Sequence, residues 1–402
     1  MSADPQPRTA QPTPRTEFPS KATHAQTRAH NASLVLRALY DLGPISRAEI
    51  SRLTGLTRTS VGDLISELER EGLAQNVGRG PSTGGKAPTL VALVDDARQL
   101  VTLDLGERTF SAALVNLRGE IRRRATRDLE GGDVDAAVGL VTDLIDEILA
   151  GEHQPILGIS VGTPGIVEGD GTIRWALNLS LGDLRLGDIL RARYDLPTIV
   201  ANDSWAATIA TYLFRRNARP SNLVAINVGR GIGAGLVLNG QLFEGDRHGA
   251  GEIGHIVVDA DGAECHCGRR GCLETVASAP AILRAAAAAG MDVDSLADLG
   301  ARARAGDPVA LAVVQRAGRA LGNAIAHLLG VLDVREIVVH GSVTALGEPW
   351  LTSIRDEATS RSLGGPLTRE THVIDGGLGE DLTLLGAAAM LLTRELGLTV
   401  HR

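Results

Sequence analysis

The chain has 402 residues, 44% of them apolar and 22% charged, enough to bury more than one sizeable core, and two or three domains are expected. No segment approaches the roughly eighteen continuous apolar residues of a membrane-spanning helix, and no apolar stretch of signal-peptide type opens the chain, so a cytoplasmic protein with reduced thiols is expected. The net charge of −8 divides unevenly: residues 1–90 hold eleven Lys and Arg against eight Asp and Glu, a balance of +3, leaving −11 for the rest. That asymmetry suggests an N-terminal module for a polyanion on an acidic body.

Residues 1–29 are rich in Pro, Thr, Ala and Gln and read as a disordered tail. From Asn31 onward Val35, Ala38, Leu39 and Leu42 recur at helical spacing and stop at Gly43-Pro44. Ser46-Arg47-Ala48-Glu49 has the form of a capping box and opens a second helix, expected to bury Ile50 and Leu53 and to end at Gly55. Thr57 caps a third, with Val61, Leu64, Ile65 and Leu68 on one face. Strands over 73–77 and 89–93 flank a Gly-rich basic tip at 78–88, which completes a winged helix-turn-helix over 30–93. Thr57, Arg58, Thr59 and Ser60 are expected to enter a major groove, Arg58 meeting guanine or phosphate, while Arg79 and Lys86 meet backbone phosphate or the minor groove. The plainer alternative is a three-helix packing unit. DNA binding is favoured because the apolar positions are spent on one face and small polar residues with Arg stand on the other.

A short linker is expected at 94–99, followed by an α/β body. Strands at 100–105, 109–115 and 121–127 precede a helix at 134–149; a strand at 156–161 runs into Gly162-Thr163-Pro164-Gly165, and one at 198–201 into Asn202-Asp203 and a helix through Leu213. Three meandering strands followed by alternating helices and strands resemble one lobe of an actin-like fold. A second series from 223 predicts a two-lobed body with a cleft: lobe one at about 100–218 plus a terminal helix at about 380–402, lobe two at about 219–379. The helices at 308–329 and 382–396 are expected as interlobe core or dimer surface.

All three cysteines fall within eight positions, Cys265, Cys267 and Cys272, ten residues and more after His255. One imidazole and three thiolates are the ligand set of a closed tetrahedral Zn2+ site, structural in role because no coordination position stays open. Ordinary thiols or one disulfide are the alternatives. Cys265 and Cys267 are too close in sequence for a relaxed bridge, and pairing either with Cys272 leaves an odd thiol. His266 is expected to face solvent, and the second nitrogen of His255 to stay available for another partner.

On Gly249-Ala250-Gly251-Glu252-Ile253-Gly254-His255, the cysteine cluster behind it and the wing segment Gly84-Gly85-Lys86-Ala87-Pro88, the chain resembles the transcription-regulator branch of the ROK family (repressors, open reading frames and sugar kinases), from about Asn31 to its end. The resemblance implies a ribonuclease H-like body with a zinc loop. It also implies sugar contacts from Asn202, Asp203, Glu252, His255 and Glu274, with Gly165 close by. A hexose is a ring of hydroxyls, and converging carboxylates and an amide suit it. In the family's kinases the residue matching Asp203 is the base on the sugar hydroxyl. Singly, Asn202-Asp203 also reads as a helix cap and the two glutamates as surface residues. Trp175 and Trp205 can stack on a sugar or belong to the core.

Phosphate handling separates kinase from sensor. The family's kinases carry Asp-x-Gly-Gly-Thr in an early loop, where this chain has Asp104-Leu105-Gly106-Glu107-Arg108-Thr109, with a side chain and a negative charge at the second Gly. The run Gly229-Arg230-Gly231-Ile232-Gly233-Ala234-Gly235 has Arg230 in place of Thr, and Val339-His340-Gly341-Ser342-Val343 lacks a double Gly. The expectation is therefore a sugar-responsive DNA-binding repressor of carbohydrate genes that has lost kinase activity. Its expected effector is a sugar or sugar phosphate, and a homodimer or a tetramer is expected on a palindromic operator. An active ATP-dependent sugar kinase is the rival, kept open by Asp104, Asp203 and the Gly-rich loop. A scaffold for a protein inducer is a third reading.

Overall fold

The computed structural model describes residues 23–81, 87–106, 109–129, 133–176, 179, 181–213, 220–362, 372–376 and 379–398. Helix α1 (His24–Leu42) begins inside the stretch expected to be tail, which corrects that boundary. Thr23 Oγ1 accepts from the Gln26 amide at 3.2 Å and Gln26 Oε1 accepts from the Thr23 amide at 2.8 Å, a capping box hidden in a polar stretch. Strand β1 (Ile45–Ser46) leads into α2 (Arg47–Thr54) and, after Gly55 in the left-handed region, α3 (Arg58–Arg70). Ser46 caps α2, but the Glu49 carboxylate goes to Arg52. Ile50 is fully buried while Leu53 is 47% exposed, against expectation, because so short a helix turns only Ile50 into the core. Strands β2 (Ala74–Arg79) and β3 (Thr89–Leu93) complete a three-stranded antiparallel sheet in the order β1-β3-β2.

The segment expected as linker is packed. The Val94 amide donates to Leu73 O at 2.9 Å, Arg98 donates to Glu71 O at 3.0 Å, and Ala97 is buried. From there β4 (Gln99–Leu105), β5 (Thr109–Asn116) and β6 (Ile121–Asp128) form an antiparallel meander, followed by α4 (Val134–Leu149) and β7 (Ile156–Thr163). Three short strands that periodicity did not reveal, β8 (Ile166–Val167), β9 (Ile173–Ala176) and β10 (Leu181–Leu184), make a small sheet of their own, and α5 (Leu186–Tyr194) follows. Strand β11 (Thr198–Asn202) closes the first large sheet, β11-β7-β4-β5-β6, and passes directly into α6 (Asp203–Leu213).

The second lobe opens with β12 (Leu223–Val228), β13 (Ile232–Leu238) and β14 (Gln241–Leu242). After the cysteine loop come α7 (Glu274–Ala277), α8 (Ala279–Ala288), α9 (Leu296–Arg304) and α10 (Pro308–Leu332). Strand β15 (Glu336–His340), α11 (Glu348–Arg361) and β16 (His372–Asp375) finish the sheet β14-β13-β12-β15-β16, and α12 (Leu382–Leu396) returns to the first lobe. No helix among the described residues is long and apolar enough to cross a membrane.

Helices α6 and α12 lie between the sheets. Ile209 and Tyr212 of α6 and Ala389 of α12 pack on Leu223, Ala225, Val237 and Val338 of the second sheet. The helices cross so closely that a Cβ on Gly386 would stand 1.7 Å from Ala206 O. Leu384, Ala388, Leu391 and Leu392 of the same α12 join one continuous core with Val35, Leu39, Ile50, Val61 and Ile65 of the N-terminal head and with Leu100 and Val115 of the first sheet. Arg118 reinforces this junction: its guanidinium lies 4.6 Å from the Tyr40 ring centroid and donates to Asp95 at 2.9 Å.

Candidate functional site

A cleft of about 770 Å³ opens between the lobes, and Gly165, Asn202, Asp203, Glu252, His255 and Glu274 all line it. Asn202 ends β11 and Asp203 starts α6, so a strand-to-helix junction aims both. The Asn202 amide has two structural bonds: Nδ2 donates to Gly165 O at 2.9 Å and Oδ1 accepts from the Trp205 amide at 3.1 Å. Helix cap and cleft lining are thus the same residue. Asp203 Oδ1 accepts from the Ser204 amide at 2.6 Å. Gly165, at φ +92°, must be glycine, since a Cβ would lie 2.0 Å from Trp175 O.

Glu252 precedes the 3-10 turn Ile253–His255, and Glu274 opens α7, where Oε2 accepts from the Ile232 amide at 3.2 Å. Burial, then the charges of Asp203 and Glu274, push the Glu252 carboxyl up to about 7. Asp104, at the end of β4, was read from the sequence only as part of a phosphate loop. In the structure it lines this cleft half-buried, and desolvation together with Asp203 raises it to about 7 against the opposing hydrogen bond from Thr383. Thr383, on the first turn of α12, carried no sequence signal because its partner is so remote in the chain. Two cleft carboxyls therefore hold protons near neutrality.

The Gly-rich run 229–235 has a packing explanation. A Cβ on Gly233 would meet Ser204 Oγ at 2.4 Å and one on Gly235 would meet Thr208 Oγ1 at 2.1 Å, so these glycines admit α6 against β13. Arg230 lines the cleft. Glu107 lies outside the described residues.

His255, Cys265, Cys267 and Cys272 bring their donor atoms within 4.8 Å of one another, and no disulfide joins the thiols. Cys267 Sγ and Cys272 Sγ are 3.6 Å apart, close to the S···S edge of about 3.8 Å in a tetrahedron with metal–sulfur bonds of about 2.3 Å. The cluster can therefore hold a metal ion. His255 Nδ1 faces Cys265 Sγ at 3.6 Å, and its Nε2 lies 3.9 Å from Glu252 Oε2, which is where its second nitrogen is directed. Gly271 makes the loop possible, since a Cβ there would stand 1.4 Å from Asp259 O. His266 is exposed at the cleft and stands outside the four-residue cluster.

On the head, Thr57, Arg58 and Thr59 are exposed at the start of α3, and Ser60 is half-buried. The hydroxyls of Thr57 and Ser60 bond each other at 2.9 Å while Thr57 Oγ1 caps the helix, so Arg58 and Thr59 carry the outward chemistry. Arg79 is exposed at the end of β2, and Lys86 lies outside the described residues.

These features define a two-lobed α/β protein with a ligand-sized, acid-lined cleft and a helical head rooted in the first lobe. The ROK family model matches residues 100–394. The xylose repressor of Bacillus subtilis (strain 168) is 26% identical over 90% of this chain and 94% of its own length. A solved ROK family transcriptional regulator, described as a homologue of the Escherichia coli MLC protein, superimposes with a TM-score of 0.81 at 28% identity, over 92% of this chain and 98% of its own. A ROK family glucokinase from Streptomyces griseus, solved with glucose and AMPPNP, reaches a TM-score of 0.65 at 27% identity, over 73% of this chain and 98% of its own. The chain belongs to the ROK family, and within it to the transcriptional regulators, whose likeness extends beyond the body into the head.

Proposed function

We propose that the protein is a cytoplasmic, sugar-responsive repressor of carbohydrate genes. In this reading the head is a winged helix-turn-helix, two of which read a palindromic operator as a homodimer or a dimer of dimers. Thr57, Arg58, Thr59 and Ser60 enter the major groove; Arg79 and Lys86 meet phosphate. The effector, a sugar or sugar phosphate, lies in the cleft, where Asp203, Glu252 and Glu274 accept from its hydroxyls, His255 contributes from the metal loop, and Asn202 holds Gly165 in place. His255, Cys265, Cys267 and Cys272 hold a structural zinc ion, which supplies rigidity to the loop carrying Glu252 and Glu274.

The observation that carries this reading is the position of α12: Thr383, on its first turn, lines the cleft, and Leu384, Ala388, Leu391 and Leu392 behind it belong to the core of the head. A ligand that draws the lobes together shifts α12 against α6 and moves the head, provided it binds the two arrangements with different affinity. Operator titration with and without a panel of aldoses and aldose phosphates tests it. An Asp203→Ala protein should still bind operator and lose at least about tenfold in sugar sensitivity, equivalent to ~1.4 kcal/mol. An unchanged sugar response would reject the site.

An active kinase is the second reading, favoured by Asp203 and Asp104 facing one cleft. Arg230 in that cleft argues for altered phosphate handling, and sugar-dependent ADP release would decide for the kinase.

A further inference from the structure

We propose that Trp175 is the platform on which the effector's ring lies, so that the cleft selects a pyranose presenting a face of C–H groups. The inference rests on the sugar-effector reading. The chain has three tryptophans, and the structure gives them different work. Trp350 is fully buried; Trp205 is buried and its Nε1 donates to Ala250 O at 3.0 Å; Trp175 is 50% exposed and lines the cleft. The choice between core and ligand that the sequence left open thus falls differently for Trp175 and Trp205.

The small sheet explains the exposure. Trp175 on β9 is paired with Gly182 on one side and Ile166 on the other, and Gly182 has no side chain to cover the indole flank. The backbone beneath the ring is fixed. Gly165 packs so closely on the Trp175 carbonyl that no side chain fits between them, and the Gly165 carbonyl accepts from Asn202 Nδ2 at 2.9 Å. The strand that bears the indole is therefore tied through one turn to the junction that aims Asp203.

A pyranose has two kinds of surface. Hydroxyls ring its edge, and its faces carry C–H groups that pack on an aromatic plane. The carboxylates account for the edge. Among the described residues lining the cleft, Trp175 is the one large aromatic, so it is the group suited to the face. An axial hydroxyl turned toward the indole would lose its water with no partner to replace it, which sets the direction of selectivity.

The test uses the full-length, metal-loaded chain and the aldose panel, with D-glucose and D-xylose as first probes. Iodide quenching should show one accessible fluorophore, which a bound sugar protects and which Trp175→Ala removes. By calorimetry Trp175→Ala should weaken sugar binding roughly tenfold and Trp175→Phe only a few-fold. The melting temperature without sugar should stay near wild type in both variants, because the ring is half in solvent. If a sugar binds wild type and Trp175→Ala binds it equally well, with quenching unaffected, the platform is overturned and the sugar reading stands. If no member of the panel binds wild type, the sugar reading fails and takes the platform with it.

Discussion

Asp104 shows how a single residue ties cleft chemistry to stability. Its carboxyl, ordinarily near 3.8, is held at about 7 by burial and by Asp203. The folded protein therefore keeps a proton that the unfolded chain releases near pH 4. The native state binds more protons across the window from about 4 to 7, so stability falls as pH rises through it and levels off above. Between pH 6 and 8 this group lowers stability by roughly 1.4 kcal/mol. Urea unfolding should show a higher midpoint at pH 6 than at pH 8, and Asp104→Asn should narrow that difference; an undiminished difference would place the titration elsewhere. The metal loop makes the second residue-scale prediction. Cys272, fully buried, offers one of four converging donors, so Cys272→Ser should reduce bound zinc from about one ion per chain and lower the melting temperature. Elemental analysis and thermal unfolding check it, and zinc absent from wild type would reject the site.

At the scale of elements, α12 joins the cleft to the core of the head. Leu391 is fully buried in the core shared with the head, and a Cβ on Gly158 of β7 would lie 3.1 Å from its Cδ2, so it sits on a bed with no room to relax. Leu391→Ala should cost about 3 kcal/mol and weaken the effect of sugar on operator binding more than it weakens sugar binding itself. Urea unfolding and paired titrations read the two effects. Equal losses in both would make α12 a passive support. The bounds of this helix were legible in the sequence, because Leu and Ala repeat over 382–396. Its partners were not. A helix apolar on most sides shows that it is enclosed without showing by what, and here it is enclosed by two sheets and a head. The cysteine cluster was legible because it is local, as was Asn202-Asp203, which stands where its strand ends. Asp104 with Thr383 was not, since only the return of α12 joins them. Strands β8, β9 and β10 are not legible in the sequence, because two to four residues hold too little alternation to register.

Across the whole molecule, head and body form one mechanical unit. One core runs from α1 through the first sheet to α12, and Arg118 of the body clasps Tyr40 and Asp95 at the junction. Calorimetry should accordingly leave no separate low-temperature unfolding of the head. The same continuity demands reciprocity between ligands. If sugar in the cleft changes operator affinity by some factor, operator DNA must change sugar affinity by the same factor, because both are legs of one thermodynamic cycle. Operator DNA is a polyanion and the sugar is neutral, so raised salt should weaken operator binding steeply while leaving a neutral sugar's affinity almost untouched. Salt therefore separates the two sites. Calorimetric titration of sugar into free protein and into the operator complex, at one ionic strength, should return affinities differing by the ratio that operator titrations give with and without sugar. A ratio of one on the sugar side beside a large ratio on the DNA side would mean that the sugar acts through something other than this chain.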